Sequence, residues 1–114
     1  MLPDGVRALL FDMQQAASGV AAFTQNKSRD DFKSDLMLRR AVERQFEIIG
    51  EAMTRLRNLS SETAEKIAEY RGIISFRNVL IHGYDQINDD ITWQIVIEKL
   101  PVLRIELETL LQEP

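Results

Sequence analysis

A chain of 114 residues has the size of one domain, so we predict a single domain over residues 1–114. Its 45% hydrophobic and 28% charged residues exclude a disordered chain, and its net charge of −4 argues against broad coating of nucleic acid. With no cysteine and one histidine it lacks the ligands of a zinc site, and we expect no metal and no cofactor. No stretch has the features of a signal peptide or the length of a membrane span, so we expect a cytoplasmic protein without a membrane partner.

Two amphipathic helices are predicted in the first half of the chain. Apolar residues recur at three- and four-residue spacing over residues 6–23, which indicates one buried helical stripe. Residues 24–33 are polar and are predicted to form a loop that ends at a helix-capping Ser34 or Asp35. The second helix, over residues 35–58, should be the longest. Its predicted buried seam consists of Leu38, Val42, Phe46, Ile49, Met53 and Leu56.

The other face of this second helix carries opposite charges at helical spacing, for example Glu51 and Arg55. Such a pattern usually forms a solvated face. The alternative is that Glu47 or Glu51 faces a cleft and orients a basic partner. After this helix, a new helix is predicted to begin near Glu62 and to continue to about residue 70, with a bend near Gly72.

The central segment, residues 72–82, is apolar almost all the way round and is predicted to be a buried helix. A 3.6-residue period aligns its polar side chains in one line, formed by Arg71, Ser75, Asn78 and His82. Polar groups removed from water cost free energy unless they are paired. We therefore expect this line to meet a polar cleft, a second subunit or a ligand.

The last part of the chain is predicted to be one long helix. Gly83 is expected to end the central helix as a left-handed cap, and residues 85–90 should form a loop and the next N-cap. A final helix over residues 91–111 should be kinked at Pro101. The predicted fold is thus all-α, an up-and-down bundle of four to five helices with a kinked C-terminal helix.

His82 and Arg77 are the side chains of the central helix that are suited to chemistry. A histidine in the last turn of a helix can exchange a proton near neutral pH, and the planar guanidinium of arginine fits two phosphate oxygens. Five residues of ideal helix separate the two side chains by about 140°. Since one helix does not direct both at one small target, we predict a homodimer through this helix, with a cleft shared by the two copies. A lone histidine in an apolar segment is more often a structural residue.

Residues 77–84, with the sequence RNVLIHGY, resemble the signature of the HepT-like toxins of the HEPN superfamily. In that signature an arginine and an asparagine are followed by a histidine and, two residues on, by a tyrosine. The resemblance extends to residues 48–52, 73–76 and 89–93 and to Leu100-Pro101, so it covers nearly the whole chain.

The resemblance implies an all-α homodimer that acts as a metal-independent ribonuclease and is neutralised by a nucleotidyltransferase antitoxin called MntA. It identifies Arg77 and His82 as the catalytic pair and Tyr84 as the acceptor of adenylyl groups from the antitoxin. The auxiliary residues of the cleft would be Asn78, Ser75, Arg71 and Glu51.

In an RNA substrate, His82 could activate a 2′-hydroxyl group, a second His82 or water could protonate the leaving oxygen, and Arg77 would stabilise the phosphorane. One alternative is a non-catalytic helical subunit that partners a nucleotidyltransferase and binds nucleotide, which the acidic net charge favours. Another is a purely structural bundle whose polar line is an interface network.

Overall fold

Two long antiparallel helices, α1 (Asp4–Thr24) and α3 (Leu36–Leu59), form the centre of the fold. The computed structural model describes residues 2–113, and none of these residues lies in a strand. Gly5 approaches Leu59 and Gly19 approaches Gln45, which fixes the antiparallel direction of the two helices. Both long helices are confirmed, and every residue of the predicted seam of α3 is buried. The core contains Leu10, Met13, Val42, Ile49 and Met53 at its centre.

A short helix, α2 (Arg29–Ser34), interrupts the connection between α1 and α3, so the prediction of a loop over residues 24–33 is wrong in its second half. The Ser28 hydroxyl accepts a hydrogen bond from the Asp31 N–H, and the Asp31 carboxylate accepts one from the Ser28 N–H. These bonds stabilise the first turn and lower the pKa of Asp31. The buried ring of Phe32 anchors α2, with its centroid 5.4 Å from that of Trp93. Asp35 caps α3, as one of the two predicted alternatives.

The next helices are α4 (Ser61–Ala64), capped by Ser60, and α5 (Tyr70–His82). The predicted helix to residue 70 is wrong, because regular helix ends at Ala64 and a series of turns follows. The predicted bend near Gly72 is also wrong, since Gly72 lies inside the first turns of α5. Helix α5 packs antiparallel along α3, and the ring centroids of Phe46 and Phe76 are 5.5 Å apart at this contact.

The prediction that the central helix is buried on all sides is wrong for a single chain. Only Tyr70 and Leu80 of α5 are fully buried, whereas Ile73, Ile74 and Phe76 are half-buried. The helix lies on one side of the bundle, and α3 covers its inner face. Its opposite face is open to solvent.

Gly83 ends α5, but not in the predicted left-handed conformation, because its φ is −125°. Its N–H donates to the Val79 carbonyl at 2.9 Å, and its own carbonyl accepts from Gln86 N–H at 2.7 Å. The chain therefore turns directly into a 3₁₀ helix, Tyr84–Gln86, and does not need a residue with positive φ.

The C-terminal helix consists of α6 (Asp89–Gln94), a π-helical turn (Ile95–Lys99) and α7 (Leu100–Leu111). A kink was predicted at Pro101, and the structure interrupts the regular α-helix directly before this proline with the π-helical turn. Proline has no N–H for a regular helical bond, and just before it the Leu100 N–H reaches back five residues to Ile95 O. Helix α7 packs on α1, where the Arg7 guanidinium donates to Leu111 O at 2.9 Å, and this contact closes the up-and-down bundle. Within residues 2–113 no helix is long and apolar enough to span a membrane.

The crossing of α3 and α5 gives a stability prediction. A Cβ atom on Gly50 would lie 2.2 Å from Arg77 Cβ and 2.7 Å from Arg77 Cγ, so Gly50→Ala must push the two helices apart. We expect it to lower the free energy of unfolding by about 1–3 kcal/mol in urea denaturation. In Gly19→Ala the new Cβ would meet only Gln45 side-chain atoms at 3.8 Å, so this control should be neutral or stabilising. Equal effects of the two substitutions would contradict the close crossing.

Candidate active site

Arg77 lies where α5 crosses α3 most closely. Its Cβ and Cγ atoms cover Gly50 of α3, where an added Cβ atom would lie 2.2 Å and 2.7 Å from them. Arg77 is half-buried, and its Nε atom is buried without a hydrogen-bond partner among the described residues. An unpaired N–H of a charged group is costly in the interior, and a ligand or a second subunit that accepts its hydrogen bond would remove this cost.

The predicted polar line is present on the open face of α5. All four of its residues are exposed on that face: Arg71, Ser75, Asn78 and His82. The Arg71 guanidinium carbon lies 4.8 Å from the centre of the Tyr70 ring, which holds the start of the line against the helix. His82 occupies the last turn of α5, at the negative end of the helix dipole. The structure thus brings these side chains to one surface.

Arg77 and His82 do not converge within one chain. The stem of Arg77 lies against α3, whereas His82 is exposed on the opposite side of α5. This agrees with the separation of about 140° that helix geometry gives for a spacing of five residues. Between the two directions lie Asn78 and Ile81, and Ile81 is 39% exposed. A single subunit therefore presents the two parts of the candidate pair but does not bring them together.

Glu51 lies apart from these residues. Its carboxylate pairs with Arg55 at 3.4 Å and lines a groove of about 290 Å³ between α1 and α3, together with Leu9 and Asp12. The solvated ion pair predicted for Glu51 and Arg55 is present. The structure does not bring Glu51 together with the α5 side chains.

Tyr84 projects from the 3₁₀ helix that follows α5, and it is 79% exposed. It lines one side of a polar cavity of about 470 Å³. The other lining residues come from α3 and from the segment around the C-terminal part of α5: Arg39, Arg40, Glu43, Glu47, Leu80, Ile87 and Asp89. The tyrosine hydroxyl is thus accessible to another protein and lies next to a group of charged side chains.

Glu43 is the residue of this cavity that the sequence reasoning missed. It is only 6% exposed, and the Arg40 guanidinium donates to its carboxylate at 3.0 Å. Burial raises the pKa of Glu43, and Asp89 adds to this effect, whereas Arg40 and Arg39 oppose it. In the sequence Glu43 is one of several charged residues on α3. A signal that could have distinguished it is its spacing of seven from Gly50, which places both on the face toward α5.

No group of three or more histidine or carboxylate side chains that could hold a metal ion occurs within residues 2–113. The side chains on the open face can bind phosphate, donate hydrogen bonds and exchange a proton. These are the capacities that a phosphodiester substrate requires.

Comparison with known proteins identifies a related group. A family model described as ribonuclease HepT-like matches residues 13–110. Two candidate RNases of Methanocaldococcus jannaschii are similar: one is 34% identical over 95% of this chain and 88% of its own length, the other 35% identical over 90% and 94%. A Thermococcus cleftensis protein named "Probable ribonuclease HepT" is 32% identical over 89% of this chain and 91% of its own. No solved structure matches.

The buried carboxylate gives a pH-dependent prediction. Because the pKa of Glu43 is raised by folding, the folded chain keeps this proton to a higher pH than the unfolded chain, and stability falls as the pH rises through that interval. Glu43→Gln cannot ionise. The free energy of unfolding of Glu43→Gln minus that of the wild type should therefore increase as the pH rises above the ordinary glutamate range, about pH 4, as measured by urea denaturation.

Glu51→Gln makes the same change of formal charge at an exposed position of α3 and controls for net charge. If the difference in free energy of unfolding between Glu43→Gln and the wild type stays constant or decreases as the pH rises, the raised pKa of Glu43 is contradicted.

Proposed function

Because the chain belongs to the HepT-like ribonuclease family, we propose that it is the toxin of a toxin–antitoxin pair and cleaves RNA without a metal ion. The observation that best supports this proposal is the open face of α5, which presents Asn78 and His82 to solvent beside the half-buried Arg77. RNA supplies its own nucleophile, the 2′-hydroxyl group, so an acid–base residue and a cation suffice for its cleavage. A protein that acts on cellular RNA would work in the cytoplasm.

The proposed active site is composite and forms at a two-fold homodimer interface through α5. Three features support this arrangement: Arg77 and His82 diverge, the Arg77 Nε lacks a partner among the described residues, and Ile81 leaves apolar surface between them. In a two-fold dimer the same face of α5 meets itself, so His82 of one copy can approach Arg77 of the other. The apolar surface of Ile74 and Ile81 would then be covered.

In the proposed reaction the imidazole of His82 removes the proton from a ribose 2′-hydroxyl. The 2′-oxygen attacks the adjacent phosphorus, and Arg77 of the second copy stabilises the charge on the phosphorane. The bond from phosphorus to the 5′-oxygen breaks, and that oxygen takes a proton from water. Products are a 2′,3′-cyclic phosphate and a 5′-hydroxyl end. Asn78 and Ser75 would orient the substrate through hydrogen bonds, and Arg71 would bind its backbone.

We further propose that a MntA-like nucleotidyltransferase neutralises the protein by adenylylating Tyr84. The exposed hydroxyl group attacks the α-phosphate of ATP, the tyrosyl–phosphate bond forms, and pyrophosphate leaves. Tyr84 is two residues beyond His82, the last residue of α5. The added phosphate would therefore lie close to the proposed cleft. Its negative charge would repel the RNA backbone.

A second candidate function is that of a non-catalytic subunit that holds a nucleotidyltransferase and binds nucleotide. The net charge of −4 favours it, because RNA-binding surfaces are usually basic. Calorimetric titration with ATP, combined with an RNA cleavage assay, separates the two functions. An adaptor binds nucleotide and leaves RNA intact.

The ribonuclease proposal predicts that the purified protein cleaves single-stranded RNA in the presence of EDTA. Arg77→Ala and His82→Ala should each reduce the cleavage rate by at least about 100-fold, the usual contribution of a general acid–base group or of a charge-stabilising cation. Arg57→Ala, at the exposed end of α3, is the matched control and should leave the rate unchanged. Cleavage that survives both Arg77→Ala and His82→Ala would refute the proposed site.

The neutralisation proposal predicts a mass increment of one AMP unit on Tyr84 after co-expression with a MntA-like nucleotidyltransferase, as measured by intact-mass and peptide mass spectrometry. Tyr84→Phe should show no increment and should stay toxic to the host. Tyr70→Phe removes the buried tyrosine hydroxyl instead and should still be modified. An unmodified Tyr84 in the presence of active transferase and ATP would contradict the proposal.

A further inference from the structure

An apolar groove lies between α5 and the C-terminal helix. Its volume is about 410 Å³, which is within the usual range of ligand-binding clefts. Apolar side chains from three helices line it: Phe46, Ile49, Ile73, Phe76, Leu100 and Leu103. The residues of the polar line and Tyr84 are not among its lining residues. The groove is therefore separate from the proposed ribonuclease site.

The rim of the groove is acidic. Glu69, Glu98 and Glu106 stand along it, and Lys99 is the basic residue among its lining side chains. Lys99 Nζ pairs with Glu69 at 3.1 Å, and the Glu106 carboxylate accepts from the Ala68 N–H at 3.0 Å. Three carboxylates against one ammonium leave the rim with a formal charge of −2.

The shape of the groove suits a helix. Two helices supply its walls, with Ile73 and Phe76 from α5 and Leu100 and Leu103 from α7, and an apolar groove of this kind is where an amphipathic helix lays its apolar face. On the α5 wall the Glu69 carboxylate lies beside Gly72, 3.3 Å from the place of a Cβ atom, so the acidic rim reaches this part of the groove. The π-helical turn Ile95–Lys99 forms part of the other wall and contributes Ile95, Glu98 and Lys99 to the lining.

We propose that this groove is a docking site for an amphipathic helix of a partner protein, with apolar anchor residues flanked by lysine or arginine. The apolar floor would take the anchors, and the carboxylates of the rim would pair with the flanking cations. The same rim charge disfavours RNA, which is anionic.

The edge of the groove allows a matched pair of test variants. Val102 lines the groove and is 50% exposed, whereas Ile105, on the same helix, is 66% exposed and is not a lining residue. Val102→Lys and Ile105→Lys change the net charge equally, and neither residue belongs to the core. Thermal melting of both variants verifies that they are folded.

The probe is a synthetic helix of leucine and lysine with leucines at i, i+3, i+4 and i+7, and the matched probe carries glutamate in place of each lysine. Titration of the isotope-labelled protein should give saturable binding of the lysine probe, with the largest amide shift changes at Ile73, Phe76 and Val102. Val102→Lys should weaken this binding about fivefold or more, and Ile105→Lys should change it less than about twofold.

The proposal is overturned if the lysine probe fails to saturate, if its shift changes map elsewhere, or if the glutamate probe binds equally well. It is also overturned if both variants weaken binding alike or if single-stranded RNA shifts the same amides. Shift changes at these amides that depend on protein concentration alone would assign the groove to a second copy instead. None of these outcomes depends on ribonuclease activity, so this proposal and the ribonuclease proposal can fail independently.

Discussion

The contact between Gly50 of α3 and the stem of Arg77 on α5 is the constraint on which the rest of the candidate site depends. Because position 50 has no side chain, the two helices approach until the Arg77 Cβ occupies the space of a Cβ on α3. This close approach fixes the rotation of α5 about its own axis. It follows that Arg77 is held toward α3, while Asn78 and His82 are turned to solvent.

The same rotation explains why a dimer is the simplest completion of the site. A single chain leaves Arg77 with an unpaired buried Nε among the described residues, and it leaves apolar surface at Ile81 next to the polar line. Unsatisfied donors and exposed apolar area both carry a free-energy cost that a self-complementary interface reduces. The arrangement that brings Arg77 and His82 to one phosphate in the proposed reaction therefore also covers the open face of α5.

The sequence was sufficient for the architecture because the apolar periodicity of α1 and α3 is long and regular, and their buried seams follow it. It failed where local chemistry or tertiary contact decides the outcome. Helix α2 was missed because it contains a single apolar anchor, Phe32, and depends on the capping bonds of Ser28 and Asp31. The bend predicted near Gly72 is absent because α5 tolerates this glycine within its first turns. The burial of α5 was overestimated because its apolar composition does not show that one face lacks a packing partner.

For the candidate site, the sequence located the polar line and the divergence of Arg77 from His82, since both follow from helical geometry. It missed Glu43, because the one signal for this carboxylate, its spacing of seven from Gly50, is hard to separate from the other charges of α3 until the fold buries it. The family resemblance also assigned Glu51 to the cleft of Arg77 and His82, whereas in the structure Glu51 lines the groove between α1 and α3. Side chains on one helix are predictable in their relative directions, but the neighbour that each one meets is set by the packing of the bundle.

The proposed site is shared between two copies, with Arg77 from one and His82 from the other. A mixed dimer of Arg77→Ala and His82→Ala chains, co-expressed with two different affinity tags and purified through both, tests this sharing. Such a dimer has one complete pair out of two, so its RNA cleavage should recover to about half the wild-type rate, although each parent variant is inactive. Cleavage no higher than that of either parent would contradict the shared site.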